Sequence, residues 1–207
     1  MNNEGATGIT TVILLVSFLL IGATTASVLT GNSNNISEQD LEEMVDNIVD
    51  EISTYIQIKD VMGKFYFTGG EPQIQKIAVL IKPLFSIDMN VSEIMIKLCN
   101  GEQIKMLYYG GQAEFFHSNS LFEHPIWDNN RDNNFNFIVT LDKDRSLVNY
   151  NTINENTDMA YITIKLSEDF TMTKGDTMTI TYFLSKGATR TITVEAPLPT
   201  KQIVTLG

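Results

Sequence analysis

The feature that most constrains this chain is an uncharged run near its beginning, which extends from Ala6 to Ser37. Within it, Gly8 to Leu29 consists only of apolar and small uncharged residues. At ~1.5 Å per residue, a helix over these residues is about 33 Å long, which is enough to cross a bilayer. It is also longer than the apolar core of an ordinary secretory signal, about 7–15 residues. The run is therefore predicted to be a helix that is buried in lipid or in protein.

A helical period continues after this run. Apolar residues at i, i+3 and i+4 spacing form one stripe, made of Leu41, Met44, Val45, Ile48, Ile52, Tyr55 and Ile56. The opposite side is acidic, which is typical of a solvated helix face and is also compatible with a docking site for a basic partner. Gly63 is predicted to end the helix.

Beyond Gly63 the pattern alternates with a period of two, which is typical of strands. The predicted strands are Ile74–Ile81, Glu93–Leu98, Gln103–Tyr109, Ala113–His117, Asn134–Leu141, Met159–Leu166, Thr177–Leu184 and Ala188–Glu195. Asn100-Gly101 predicts a type I′ hairpin turn, and Lys174-Gly175 and Lys186-Gly187 predict further turns. The fold class is thus α+β: a long N-terminal hydrophobic α-helix followed by an antiparallel immunoglobulin-like β-sandwich head.

The charge balance excludes several kinds of partner. The chain has 25 Asp and Glu against 14 Lys and Arg, a net charge of −11, which makes nucleic acid an improbable ligand because its phosphates require basic residues. No basic segment flanks the apolar run to hold anionic lipid. A single cysteine, Cys99, excludes an internal disulfide, and His117 and His124 lack companions at metal-ligand spacing.

Signatures of catalysis are missing from the sequence, so we predict that the chain is not an enzyme and needs no cofactor. Asp142 and Asp144, with the Asp-rich stretch 128–132 upstream, could offer oxygen ligands to Ca²⁺, although alternating Asp residues at a strand end are more often turn residues. Two sequons, Asn35-Ile-Ser and Asn90-Val-Ser, make Asn35 and Asn90 candidates for N-glycosylation if the head lies outside the cell.

Several stretches together resemble one known family over nearly the whole chain. At the beginning these are EGATGITTVILLV and ATTASVL; further on they are IQKIAVLIKPLFSIDMNVSEIMIKLCNGEQIKMLYYGG, FIVTLDKDRSLV, TKGDTMTITYFL and EAPLPTKQIVTL. They are similar to the archaeal flagellins (archaellins), the subunits of the archaellum filament. The N-terminal pattern is the most specific part of the resemblance.

The resemblance implies a processing site and a domain organisation. Archaellins carry a class III, type IV pilin-like signal that a membrane peptidase cuts after a Gly, which places the cut here between Gly5 and Ala6. Residues 1–5 would then be a cleaved leader, 6–63 the helix that forms the filament core, and 64–207 the β-sandwich outer domain. The leader MNNE departs from the family in carrying Glu4 where Lys or Arg is usual.

The same resemblance implies a function and its partners. The chain would be a structural subunit of an extracellular archaellum filament, a helical homopolymer of identical or paralogous subunits that serves swimming motility. It would pass through the membrane transiently and be assembled by a membrane-embedded motor. The residues expected in the filament core are Ile9, Val12, Ile13, Leu15, Val16, Leu19, Leu20 and Val28. Two alternatives stay open: a type IV pilin-like adhesive pilus subunit, and a membrane-anchored extracellular β-sandwich binding module.

Overall fold

The computed structural model describes residues 56–67, 70–86, 88–117, 120–184 and 188–206. All of them belong to one compact unit, Asp50–Gly207. The predicted N-terminal helix lies outside the described residues up to residue 55, as do the cleavage junction Gly5-Ala6, the filament-core residues and the sequon at Asn35. None of the helices within these ranges is long and apolar enough to span a bilayer.

Strands make up most of the described part of the chain. They are β1 (Ile56–Tyr66), β2 (Gln73–Pro83), β3 (Met89–Asn90), β4 (Met95–Cys99), β5 (Ile104–Phe115), β6 (Asn134–Leu141), β7 (Thr152–Ile153), β8 (Met159–Lys165), β9 (Thr177–Phe183), β10 (Thr189–Glu195) and β11 (Ile203–Thr205). The connections contain two short helices, Ile126–Asn129 and Ser146–Tyr150, and the 3-10 turns Val91–Glu93, Leu121–Glu123 and Glu168–Phe170. Every predicted strand overlaps an observed one.

The predicted end of the N-terminal helix at Gly63 is wrong, because Ile56–Tyr66 is a strand. It pairs antiparallel with β2 over its whole length, and Gly63 lies opposite Ile77. Gly63 is needed for close packing and not as a helix terminator: a Cβ placed there would lie 3.1 Å from Ile74 and 3.2 Å from Leu206. The sheet domain therefore already includes Ile56 and does not begin at residue 64.

Nine of these strands form one hydrogen-bonded sheet in the order β10-β9-β4-β5-β6-β8-β2-β1-β11. The expected antiparallel arrangement is wrong at one place, since β5 and β6 are parallel. A parallel pair requires a long crossover, of a dozen or more residues. Residues 116–133 provide it, and they return the chain to the end of the sheet at which β5 begins. The short strands β3 and β7 form a separate pair.

Two turn predictions are tested by the described residues. The hairpin between β4 and β5 is confirmed, but Asn100 N–H donates to the Gln103 carbonyl, so Gly101 and Glu102 are the central residues, one position later than predicted. Gly101 has φ 92°, a conformation that glycine adopts without strain. The turn at Lys174-Gly175 is also confirmed: the Asp176 N–H donates to the Thr173 carbonyl at 3.0 Å, and Gly175 has φ 84°. A further glycine pair, Gly110-Gly111, does not form a turn. It lies inside β5, where the register against β6 shifts between Tyr109 and Ala113.

The main core collects apolar side chains from both ends of the sheet's strand order. Val61, Ile77 and Ile162 from one half belong to the same buried cluster as Ile96 and Ile180 from the other half. In each of these strands the residues of this cluster alternate with residues on the opposite face, as a strand requires. This alternation is the signal that the sequence patterns detected.

A second, smaller core covers the opposite face of β2, β6 and β8. The crossover supplies Phe122, Ile126 and Trp127, which pack against Ala78 and Ile138. The Phe122 and Trp127 rings stack at 5.6 Å, and the indole N–H of Trp127 donates to the Leu121 carbonyl at 2.8 Å. The crossover is therefore an integral layer of the domain and not an external loop.

Candidate functional site

The sequon at Asn90 is the one predicted modification site among the described residues. Asn90 is exposed at the end of β3, and its side-chain oxygen accepts hydrogen bonds from the Ser92 backbone N–H at 3.0 Å and the Ser92 hydroxyl at 2.7 Å. Val91 between them is fully buried and begins a 3-10 turn, which fixes the tripeptide. The acceptor residue and the serine hydroxyl are thus both at the surface and in direct contact.

This sequon is tied to the loop that carries Asp142 and Asp144. Asn90 pairs with Thr152, and the Val91 N–H donates to the Asn151 carbonyl at 2.8 Å. The Tyr109 hydroxyl donates to the side-chain oxygen of Asn151 at 2.8 Å from the neighbouring strand. Burial raises the pKa of Tyr109 to about 12, so this hydroxyl stays protonated and keeps its donor role.

The loop itself is organised by carboxylates that cap a short helix. Asp142 is buried, and its two oxygens accept from the Ser146 and Leu147 N–H groups at 3.1 Å each. Asp144 accepts from the same Ser146 N–H at 3.0 Å and from the Asn154 amide at 2.7 Å. These are the bonds by which an Asp satisfies the free N–H groups at the start of a helix, here Ser146–Tyr150.

A third carboxylate, Asp158, closes the loop. One of its oxygens accepts from the Asn154 and Glu155 N–H groups at 3.2 and 3.0 Å, and the other is buried without a partner. Burial raises the pKa of Asp158, and burial together with the hydrogen bond to Asp144 raises the pKa of Asp142. The hydrogen bond from Asn154 lowers the pKa of the exposed Asp144 to about 2. The ionised forms of Asp142 and Asp158 are therefore disfavoured in the folded loop.

The arrangement of these groups favours a structural role over metal binding. Within the described ranges, no group of three or more His, Cys, Asp or Glu side chains is placed to hold a metal ion. The contacts of Asp142 and Asp144 are those of capping and turn residues. His124 is buried with both ring nitrogens satisfied, by the Phe115 carbonyl and the Ile126 N–H, and His117 is exposed.

A buried polar network is the main feature that sequence reasoning missed. Asn130 lies in the Asp-rich stretch 128–132 and Asn136 lies in the predicted strand Asn134–Leu141, and both are buried. Asn136 donates to Asn130, which in turn donates to the Thr163 carbonyl and hydroxyl at 3.0 Å each. The Gln112 N–H donates to Asn136 at 3.1 Å and joins β5 to the network. Gly110 lies so close to Asn136 that a side chain there would meet it, but in the sequence this leaves no signal beyond the glycine itself.

The described residues thus define a class of protein: a β-sheet domain whose polar clusters serve loop capping and strand pairing. The comparisons make this class specific. A model of the archaeal-type flagellin family matches residues 5–194, and the chain belongs to that family. Flagellin B3 of Methanocaldococcus jannaschii is 26% identical over 175 residues, which cover 82% of this chain and 79% of that protein.

Two solved structures share the fold. The crystal structure of archaeal flagellin FlaB1 from Methanocaldococcus jannaschii has a TM-score of 0.63 at 20% identity and covers 73% of this chain and 95% of that one. The archaeal flagellum of Methanospirillum hungatei has a TM-score of 0.50 at 11% identity and covers 96% of this chain and 98% of that one. The described sheet is accordingly an archaellin-like fold.

Proposed function

We propose that this chain is a structural subunit of an archaellum filament, which polymerises through its N-terminal apolar helix and works extracellularly in swimming. The observation that carries the proposal is the extent of the family match, which runs from residue 5 to residue 194 and so includes both the uncharged run and the sheet domain. A protein of this family is structural, and its work is assembly and the transmission of torque.

The proposed assembly follows from the chemistry of residues 6 to 37. A helix that is apolar on all sides is stable in a bilayer because its backbone groups bond internally. Outside the bilayer it must bury that surface against identical helices, with a gain of ~25 cal/mol per Å². Parallel packing of many copies gives contacts between different faces of successive subunits, which do not close and which generate a filament. The β domains form its outer layer.

The finer features of the fold belong to the same proposal. We infer a helix over the N-terminal residues up to the start of β1, joined to a head of the immunoglobulin-like sandwich kind. Val61 of β1 and Ile180 of β9 come from opposite ends of the strand order, yet they belong to one buried cluster. This supports a sheet that folds over itself. Before assembly, the helix would cross the membrane transiently, a class III signal peptidase would cut between Gly5 and Ala6, and a membrane motor would extract the subunit.

Glycosylation is proposed at Asn90 and at Asn35. The exposure of Asn90 and its contact with the Ser92 hydroxyl support the first site. Mass spectrometry of sheared filaments should show an added mass that disappears in Asn90→Gln. An unmodified wild-type peptide containing Asn90 would contradict the proposal for this site.

The decisive test of the filament proposal is Ile13→Asp in the full-length chain. It would place a charge in the dry core of helices, where an unpaired ion costs several kcal/mol or more. We expect no filaments by electron microscopy, while the sheet domain remains resistant to protease. Leu198→Asp, which puts the same charge on an exposed position of the domain, is the matched control and should leave filaments.

Normal filaments from Ile13→Asp would refute the assignment of the core. Recovery of the wild-type chain only as an unsheared membrane protein would refute polymerisation and favour the membrane-anchored module.

A further inference from the structure

One exposed face of β10, β9, β4 and β5 forms a regular array, which we name the threonine face. Its three cross-strand rows follow from the strand register and are Thr189–Phe183–Met95–Tyr108, Thr191–Thr181–Lys97–Met106 and Thr193–Thr179–Cys99–Ile104. The residues between them on each strand, such as Leu98, Leu107 and Ile180, point into the main core. The threonine face is therefore the outward side of these four strands, although Thr181 in its middle row is only 8% exposed.

The array is unusually apolar for a surface of this chain. Ile104 is 66% exposed, Tyr108 51% and Met95 38%. The three rows contain no Asp or Glu, although the chain has 25 of them, and Lys97 is their single charge; Glu195, opposite Thr177 in the next row of the β10–β9 pairing, borders the array. The Lys97 ammonium lies 5.9 Å from the centre of the Phe183 ring, which holds the cation against the face. Exposed apolar side chains that cluster in this way mark an interaction surface.

The face is also continuous. The pairs β10–β9, β9–β4 and β4–β5 run without any register shift, so no bulge interrupts the rows. With strands ~4.8 Å apart and ~3.4 Å per residue, the twelve positions cover on the order of 300 Å². A standard stable interface uses about 800 Å² on each partner. This face alone is therefore too small to hold two free subunits together, and it suits a contact that adds to another interface.

The strand at its border is open for pairing. β10 is the first strand in the sheet order and, among the residues that the structure describes, pairs only with β9. Edge strands are usually protected by proline, a bulge or charged side chains; Thr189–Glu195 has no proline and no bulge, and its charged residues, Arg190 and Glu195, lie near its two ends. Along β10, residues whose backbone groups hydrogen-bond to β9 alternate with residues whose backbone groups point away from β9. Thr191 and Thr193 are of the second kind, so their backbone groups and hydroxyls lie at the open edge of the sheet.

We propose that the threonine face docks onto the β domain of a second copy of this chain, a step that rests on the filament function proposed above. Copies with a net charge of −11 repel one another, and a face without carboxylates is where they approach at the lowest electrostatic cost. Face-to-face docking would bring Lys97 close to Lys97, so the face contacts a different, acidic surface of the neighbour. Such a contact does not close, as a helical filament requires.

Cys99 gives a direct test because it is the only cysteine in the chain and lies in the third row. Intact filaments and detergent-dissociated subunits are treated with a maleimide, and the labelled fraction is followed by mass spectrometry. We expect labelling to be at least about tenfold slower in filaments, since a docked neighbour covers this row and keeps the reagent from the thiol. A Cys99→Ser chain with Tyr150→Cys, a 74% exposed position outside the face, reports whether the reagent reaches filament surfaces.

Equal labelling of Cys99 in filaments and in free subunits would overturn the inference while leaving the filament function intact. Protection seen only in filaments that contain another protein, and lost in filaments of this chain alone, would overturn the choice of a second copy as the occupant.

A pair of variants tests the contact energetically. Tyr108→Asp adds a carboxylate to the face, and Tyr150→Asp makes the same change at an exposed tyrosine outside it. We expect Tyr108→Asp subunits to fold and to be secreted, but their filaments to dissociate at a lower detergent concentration than those of Tyr150→Asp. Equal midpoints for the two variants would contradict the docking of this face.

Discussion

Single residues decide how the parallel strand pair is joined. Gly110 lies so close to two asparagines of β6 that a Cβ there would be 2.6 Å from Oδ1 of the buried Asn136 and 2.8 Å from Nδ2 of the half-buried Asn134. The next residue, Gly111, has open space around its Cα but a φ of 82°. Two adjacent glycines are therefore required for different reasons, one for space and one for backbone conformation.

This difference predicts that the same substitution has unequal effects on stability at the two neighbouring positions. Gly111→Asn should be nearly neutral, since asparagine tolerates a left-handed backbone better than most residues. Gly110→Asn should lower the free energy of unfolding by ~1–3 kcal/mol, because the side chain must displace the Asn136 network. Urea denaturation of both variants measures the difference, and equal stabilities would show that space at Gly110 is not limiting.

Asp158 predicts a pH dependence with a definite sign. Its folded-state pKa is raised by burial, so its contribution is most favourable below its unfolded pKa of ~4 and is lost as pH rises through the folded value. In Asp158→Asn the amide oxygen keeps the two backbone bonds and no charge is buried. The variant should therefore gain stability relative to wild type as pH rises from about 4 to 7.

The matched variant Asp144→Asn should change in the opposite direction, because hydrogen bonds hold the pKa of Asp144 at about 2. Its carboxylate stabilises the fold above the unfolded pKa, and this contribution is lost as pH falls. Thermal unfolding at several pH values measures both. A constant difference between Asp158→Asn and wild type across this range would contradict the buried charge.

At the scale of elements, the crossover between β5 and β6 is the feature with the largest energetic consequence. It makes the parallel pairing possible, and it covers one face of the sheet with Trp127 and Phe122. The Lys76 ammonium lies 5.1 Å from the centre of the Trp127 ring, so a strand of the sheet and the crossover are also joined by a cation–π contact.

Truncation of the crossover's anchor tests this role. Trp127 is fully buried, so Trp127→Ala should lower the free energy of unfolding by ~3–5 kcal/mol. Phe116→Ala, at the exposed beginning of the same crossover, should cost much less. Denaturation midpoints of the two full-length variants give the comparison, and similar small losses would mean that the crossover is not part of the core.

The elements also show what the sequence could predict. Strands with a buried face, such as β8 and β9, were found because every second residue is apolar. The sequence does not predict β1, because Tyr55 and Ile56 continue the i, i+3, i+4 spacing of the preceding apolar stripe. Only the pairing with β2 shows that residues 56–66 form a strand. The parallel partner of β5 depends on where residues 116–133 lead the chain, and the burial of Asn136 depends on partners distant in sequence. Neither leaves a local pattern.

At the scale of the whole molecule, the apolar run and the sheet domain impose opposite demands. The sheet domain carries most of the acidic residues, whereas residues 6–37 contain no charge at all. In the filament proposed above, identical apolar runs would pack against one another, and charged side chains would lie outside that core. Glu4 precedes the run, so an uncut leader would bring a carboxylate to the end of each proposed core helix.

Processing at Gly5-Ala6 is thus predicted to be a condition for assembly. Gly5→Val should block the cut that the family's peptidase makes after glycine, leaving a chain of full-length mass in the membrane fraction and no filaments. Gly8→Val makes the same change three residues further on, where it only adds apolar surface, and should be processed normally. N-terminal sequencing of both variants settles the point: a mature chain that begins at Ala6 in Gly5→Val would refute the site. Filaments built from uncut chains would instead show that a charge at this end of the helix is tolerated, and that the core begins further along the run.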